Sequence, residues 1–119
     1  MKVINIAEKF SKIKEHWTPK IGAELNGQCV KFAKLKGEFT RHAHELEDEL
    51  FLVISGTLKM EFDDRTQVVN PGEFIVIPKG VYHKPIAEEE VEVILFEPVT
   101  TLNTGDSDDE RKLEKLDWV

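Results

Sequence analysis

The sequence has one cysteine, Cys29, and one tyrosine, Tyr82. A single cysteine cannot close an internal disulfide. Cys29 sits in an apolar run, which suits a buried, inert thiol, and none of the local sequences that surround catalytic cysteines is present. No apolar run approaches the roughly 18 residues of a membrane-crossing helix. Lys2 interrupts the first residues, so no secretory leader is expected and the chain reads as cytoplasmic. Positive charge is also scarce: 16 Lys and Arg stand against 23 Asp and Glu, a net charge of -7. That balance excludes broad contact with nucleic acid or an anionic membrane. It leaves room for a small anionic substrate held by a few local cations. A DNA-binding helix pattern, a βαβ alternation and a fixed-period repeat are all missing.

What is present is patterned. The 119 residues, 40% of them hydrophobic, suit a single domain with an ordinary core. Residues 5–17 read as a helix: Asn5 caps it, Glu8 completes a capping box, and Ile6, Phe10, Ile13 and Trp17 share one face. Pro19 stops it. From 28 to 98 short β-branched and aromatic runs alternate with turn signals. Strands are expected at 30–35, 39–44, 49–55, 57–62, 67–69, 74–77, 82–85 and 91–96. Asp63-Asp64 reads as a tight hairpin, and Asn70-Pro71-Gly72-Glu73 as a type II turn. The acidic run Glu88-Glu89-Glu90 reads as a solvent-facing hairpin tip. So many strands joined by short turns imply an all-β antiparallel sandwich or barrel. Residues 99–119 form a polar tail. Within it Ser107 and Glu110 would cap a last helical turn carrying Leu113 and Leu116, lying on the surface or against a second subunit.

The chemistry lies in His42, His44, Glu49 and His83. Residues two apart on a strand share a face, so His42 and His44 project together while Ala43 points away. Glu49 opens the next strand, with Phe51 and Val53 on its face and Leu50, Leu52 and Ile54 on the other. Glu47 or Asp48 could replace Glu49 as donor. His83 follows the Pro78-Lys79-Gly80 turn, which can swing it across the barrel. Three imidazoles and a carboxylate inside an apolar barrel would each cost several kcal/mol unpaired, and a divalent ion satisfies all four. These donors suit Fe, Mn, Co, Ni or Zn. An octahedral ion would keep two positions open, whereas tetrahedral Zn would be closed. Arg41 and Lys79 read as surface charges, Lys34 and Lys36 as inward cations if they have a role, and Tyr82 as packing. His16 has no assigned role.

The joint pattern resembles the cupin superfamily. Gly37, His42, His44, Glu49 and Gly56 match its first motif, with four residues rather than five between Gly37 and His42. Gly72, Pro78, Gly80 and His83 match its second, with Ala87 where that motif has Asn. The resemblance implies a jelly-roll (double-stranded β-helix) barrel with His42, His44, Glu49 and His83 as metal ligands, and a homo-oligomer, most simply a dimer. Within the superfamily the chain looks like the small group described as similar to mannose-6-phosphate isomerase, and Leu102-Asn103-Thr104-Gly105-Asp106 adds to that likeness. Fold does not fix function. The expected activity is that of a metal-dependent enzyme on a small polar organic substrate, isomerase-like or dioxygenase-like, with the metal as Lewis acid. The alternative is a non-catalytic module that binds or senses a small ligand or sugar around a structural metal.

Overall fold

A computed structural model describes residues 1–119. One short helix, α1 (Ile6–Ser11), precedes seven strands: β1 (Lys20–Leu25), β2 (Gln28–Glu38), β3 (Glu49–Ser55), β4 (Leu58–Glu61), β5 (Thr66–Val69), β6 (Phe74–Ile77) and β7 (Lys84–Pro98). The pairings are antiparallel, in the order β1-β2-β7-β3-β6, with β4 bonded to both β5 and β7. This is the all-β jelly roll expected from the strand and turn pattern.

The main core lies between the two layers. It is built from alternating inward residues such as Ala33 and Leu35 on β2, Phe51 and Val53 on β3, Leu58 and Met60 on β4, and Val91, Val93 and Leu95 on β7. Outside it, Phe10 and Ile13 cover Phe32 and Ile94. The turns follow their sequence chemistry. Glu73 N–H donates to Asn70 O at 2.9 Å, and Gly72 supplies φ +83° at the third place of a type II turn. Phe62 N–H donates to Arg65 O across Asp63-Asp64.

Five points are corrected. The helix ends at Ser11 rather than Trp17, although Asn5 caps it by accepting from Glu8 N–H at 2.9 Å. Trp17 turns away instead, at φ +59°. Residues 20–25, not assigned to any element by the sequence pattern, pair with β2 as β1. Residues 39–44 are not a strand: β2 stays paired with β7 through Glu38, past a register shift between Leu35 and Gly37, and beyond it only one bridge, His42 to His83, follows. Glu88-Glu89-Glu90 is no hairpin tip. It lies within the 15-residue β7, exposed but extended, with partners beside it: Lys59 pairs with Glu88 and the His16 ring meets Glu90. The tail forms turns, not a helical turn, at residues 107–116.

Candidate metal centre

Three local devices bring the four donors together. His42 and His83 form a reciprocal backbone pair, each N–H donating to the other's carbonyl at 2.9 and 2.8 Å. The turn before His83 is tied to the loop before β3. Gly80 N–H donates to His44 O at 2.7 Å, and Lys79 N–H donates to Asp48 Oδ1 at 2.9 Å. Glu49 begins β3, paired with Ile77, so strand parity sends Glu49, Phe51 and Val53 inward and leaves Leu50, Leu52 and Ile54 on the other face. Asp48 and Glu47 are employed elsewhere, Glu47 by the Thr100 hydroxyl, which leaves Glu49 as the carboxylate at the cluster.

The side chains of His42, His44, Glu49 and His83 are all buried, and one ligand atom from each lies within 4.8 Å of the others. Two rings have their tautomers set from behind. His42 Nδ1–H donates to Thr40 O at 2.9 Å and His83 Nδ1–H to Val81 O at 3.0 Å. The lone pair on each Nε2 therefore points inward, the arrangement metal-binding histidines need. His44 Nε2 and His83 Nε2 stand 3.3 and 3.4 Å from Glu49 Oε1. Without hydrogen-bond alignment, these three buried atoms lack partners. Such orphans are costly, and one cation would satisfy them together. The residues fit a divalent ion.

The electrostatics agree. Burial, then the neighbouring His83 ring, pulls His42 down to about 4, so this imidazole is neutral near pH 7. Burial also opposes a charged His44, but the Glu49 carboxylate beside it overcomes that and raises its pKa. For Glu49 burial works upward and is outweighed by the His44 and His83 imidazoles, which hold the carboxylate well below its usual range. Glu49 thus favours positive charge at this point, which a bound cation would supply.

Strand parity also delivers two charged residues that the sequence analysis passed over. Glu97 continues the inward row Val91, Val93, Leu95 on β7, and Lys31 lies in the inward row Cys29, Ala33, Leu35 on β2. Both are buried, with Lys31 Nζ donating to Glu97 Oε2 at 3.3 Å. Burial, followed by the charge of Glu49, raises the Glu97 pKa well above the carboxylate range. Lys34 and Lys36, considered as inward cations, face outward: Lys34 lies 4.0 Å from Glu92 and Lys36 is exposed. Arg41 is a surface charge, bonded to Asp63 and lying over the exposed Tyr82 ring. Next to the donors is a cavity of about 40 Å³, with His42, Glu49, Lys31 and Glu97 as its charged or titratable groups and Trp17, Phe39 and Phe51 among its apolar walls. Trp17 lines it and stacks on Phe39, with centroids 4.7 Å apart, and its indole N–H donates to Lys36 O. The cost of its positive φ is about 1–2 kcal/mol.

The Cupin domain family model matches residues 30–99, more than half of the chain. The chain belongs to the cupin family. It is 34% identical over 84 residues to the uncharacterized protein YdbB of Bacillus subtilis (strain 168), covering 70% of this chain and 74% of that one. Among solved structures, a cupin-2 domain containing protein from Shewanella frigidimarina is 46% identical, with a TM-score of 0.80 over 81% of this cupin and 94% of that chain. Protein NMB1881 from Neisseria meningitidis is 30% identical, with a TM-score of 0.75 over 82% of this cupin and 99% of that chain. No helix of this cupin is long and apolar enough to cross a membrane.

Proposed function

We propose that this cupin binds one divalent transition-metal ion through His42, His44, Glu49 and His83 and acts as an enzyme on a small polar organic substrate. The observation that carries the reading is the convergence of four buried donors, three of which (His44, Glu49 and His83) have inward atoms with no other partner. Four protein ligands on an octahedral ion leave two positions for substrate, which favours Fe, Mn, Co or Ni over a closed tetrahedral Zn. When bound, the ion would polarise a substrate oxygen as a Lewis acid. The protein's part is to orient the imidazoles, hold Glu49 ionised and wall the site with the apolar rings of Trp17 and Phe39. Glu97 supplies the second carboxyl that an isomerase-like reaction needs and that the sequence reading lacked. The narrower likeness to mannose-6-phosphate isomerase is less well supported. A cavity of about 40 Å³ holds a few waters (roughly 10–15 Å³ of free volume each), not a hexose phosphate, and its one lysine is already paired with Glu97. The chain is further proposed to act as a homodimer. Support for this is an uncharged sheet face on which Phe74, Val76 and Phe96 are exposed.

Metal analysis of protein purified without chelator tests the assignment. About one equivalent of metal is expected in the wild type and in His16→Ala, whose ring meets Glu90 at the surface. His44→Ala should lose it. Equal retention in both variants would overturn the ligand set. A metal-loaded protein that retains a small ligand but turns nothing over would favour the non-catalytic binding module.

A further inference from the structure

The stretch Leu102-Asn103-Thr104-Gly105-Asp106 is remote in sequence from the four clustered residues, yet it bears directly on the segment that carries two of them. Residues 42–44 lie outside the strands, so their backbone is held by single ties. His42 O accepts from His83 N–H at 2.8 Å, Ala43 O from Asp106 N–H at 2.9 Å and His44 O from Gly80 N–H at 2.7 Å. Two of these ties come from residues 80–83, which carry a member of the cluster themselves. The third is supplied by the C-terminal segment, which contributes no side chain to the cluster.

Gly105 reinforces that third tie. Its backbone is left-handed, at φ +57°. A Cβ there would run into Ala43 O and would lie 3.0 Å from His42 Cδ2, the ring carbon bonded to Nε2. The Gly105 backbone is therefore packed against the peptide between His42 and His44 and against the His42 ring. Gly27, Gly37, Gly72 and Gly80 also have positive φ, but a Cβ at any of them meets open space. The loop that presents Gly105 is fixed from within. Gly105 N–H donates to Leu102 O and Ser107 N–H to Thr104 O, both at 3.0 Å. The buried Thr104 hydroxyl donates to Ser107 O at 3.3 Å. Asn103 accepts from Leu113 N–H at 2.8 Å and donates to Arg111 O at 2.9 Å. Turns closed in this way make a stiff support.

We propose that Gly105 and Asp106 are positioning residues for the candidate metal centre: through the bare Gly105 backbone and the Asp106 N–H they brace the Ala43 peptide and so set the aim of the two imidazoles that flank it. The brace rests on the ligand set of the proposed function. A side chain at 105 would have to displace Ala43 O by on the order of 1 Å. Disturbing the outer supports of metal-binding histidines costs about tenfold to a hundredfold in affinity. The coupling also runs the other way: a brace that favours the ion is favoured by the bound ion to the same factor.

Affinities for Mn(II), Co(II) and Ni(II) are measured by chelator competition in wild type, Gly105→Ala and Gly72→Ala. Both variants place alanine at a positive φ, with similar backbone strain, and only Gly105→Ala adds the collision with Ala43 and His42. With both folded by circular dichroism, Gly105→Ala should bind at least tenfold more weakly and Gly72→Ala should match wild type. Amide hydrogen exchange in wild type gives a second test that stands even where Gly105→Ala does not fold. On metal loading the Asp106 N–H should exchange at least tenfold more slowly, the reciprocal of the affinity effect. The Val119 N–H, tied to Ile21 O in the same C-terminal segment, should not change. Three results would overturn the brace: a folded Gly105→Ala with wild-type affinity, an Asp106 amide indifferent to an ion that wild type holds, or equal slowing at Asp106 and Val119. Wild type that takes up none of the three ions would instead overturn the ligand set, and the brace with it.

Discussion

His42 shows how a single side chain can couple the candidate site to the stability of the barrel. Its folded pKa falls to about 4 from an ordinary 6.5, chiefly through burial. Between those two values the unfolded chain takes up a proton that the folded chain refuses. The neutral ring therefore contributes stability that is fully present above about pH 6.5 and is lost as pH falls through about 4. A shift of this size corresponds to roughly 3 kcal/mol. His44 acts in the opposite sense: its pKa is raised, so its contribution is present below 6.5 and lost as pH rises through the folded value. The contribution of His42 is isolated by comparing metal-free wild type with His42→Phe in thermal melts from pH 7.5 to 4. The wild type should lose Tm more steeply below pH 6.5 than the variant. Parallel profiles would mean the ring is not held neutral.

At the level of elements, the site is held by turns and not by the strand parity that first suggested it. His42 and His44 were read as neighbours on a strand, yet residues 39–44 form no strand and Ala43 is buried beside them. The donors converge because the turn at 78–81 is tied to the preceding loop, and such ties between distant residues are not written in local periodicity. Legible in the sequence were the Asn5 cap, the type II turn at Gly72, the inward row Glu49-Phe51-Val53 and the four residues that cluster, His42, His44, Glu49 and His83. Less legible was Glu88-Glu89-Glu90, whose solvated charges mimic a turn although partners from β4 and from His16 keep the strand going. Lys31 and Glu97 could have been found by extending the inward alternation of their strands by one step, which the usual exclusion of charge from cores discouraged. Asp48 tests the importance of the ties. Asp48→Ala leaves Lys79 N–H without its acceptor, at a cost of about 1 kcal/mol, and loosens the turn carrying His83. Metal affinity measured by chelator competition should weaken about tenfold, with a Tm lowered by a few degrees. Asp48→Asn, which keeps an acceptor oxygen, should lie between alanine and wild type. Unchanged affinity in the alanine variant would show that the backbone pair between His42 and His83 suffices.

For the whole molecule, the distribution of charge is as informative as the core. The chain carries a net charge of -7, yet two rows on one face of its sheet are free of charge across three strands. Phe96, Leu50 and Val76 form one cross-strand row, and Ile94, Leu52 and Phe74 the next. α1 covers Ile94 through Phe10 and Ile13, but Phe74, Val76 and Phe96 remain exposed. β6 is the last strand of the main order, so this apolar face ends at an open edge. A surface without charge is compatible with a copy of itself, whereas the acidic remainder of the molecule repels one. A two-fold pairing that buries aromatic and aliphatic side chains on both copies meets the need of a stable dimer, roughly 800 Å² per partner, if the neighbouring half-buried leucines are included. Light scattering after size exclusion should report twice the chain mass at micromolar concentration. Phe74→Glu places a like charge on both copies and should yield a monomer with its metal content and fold intact. A monomeric wild type, or a dimer that survives Phe74→Glu, would exclude this face as the one that pairs.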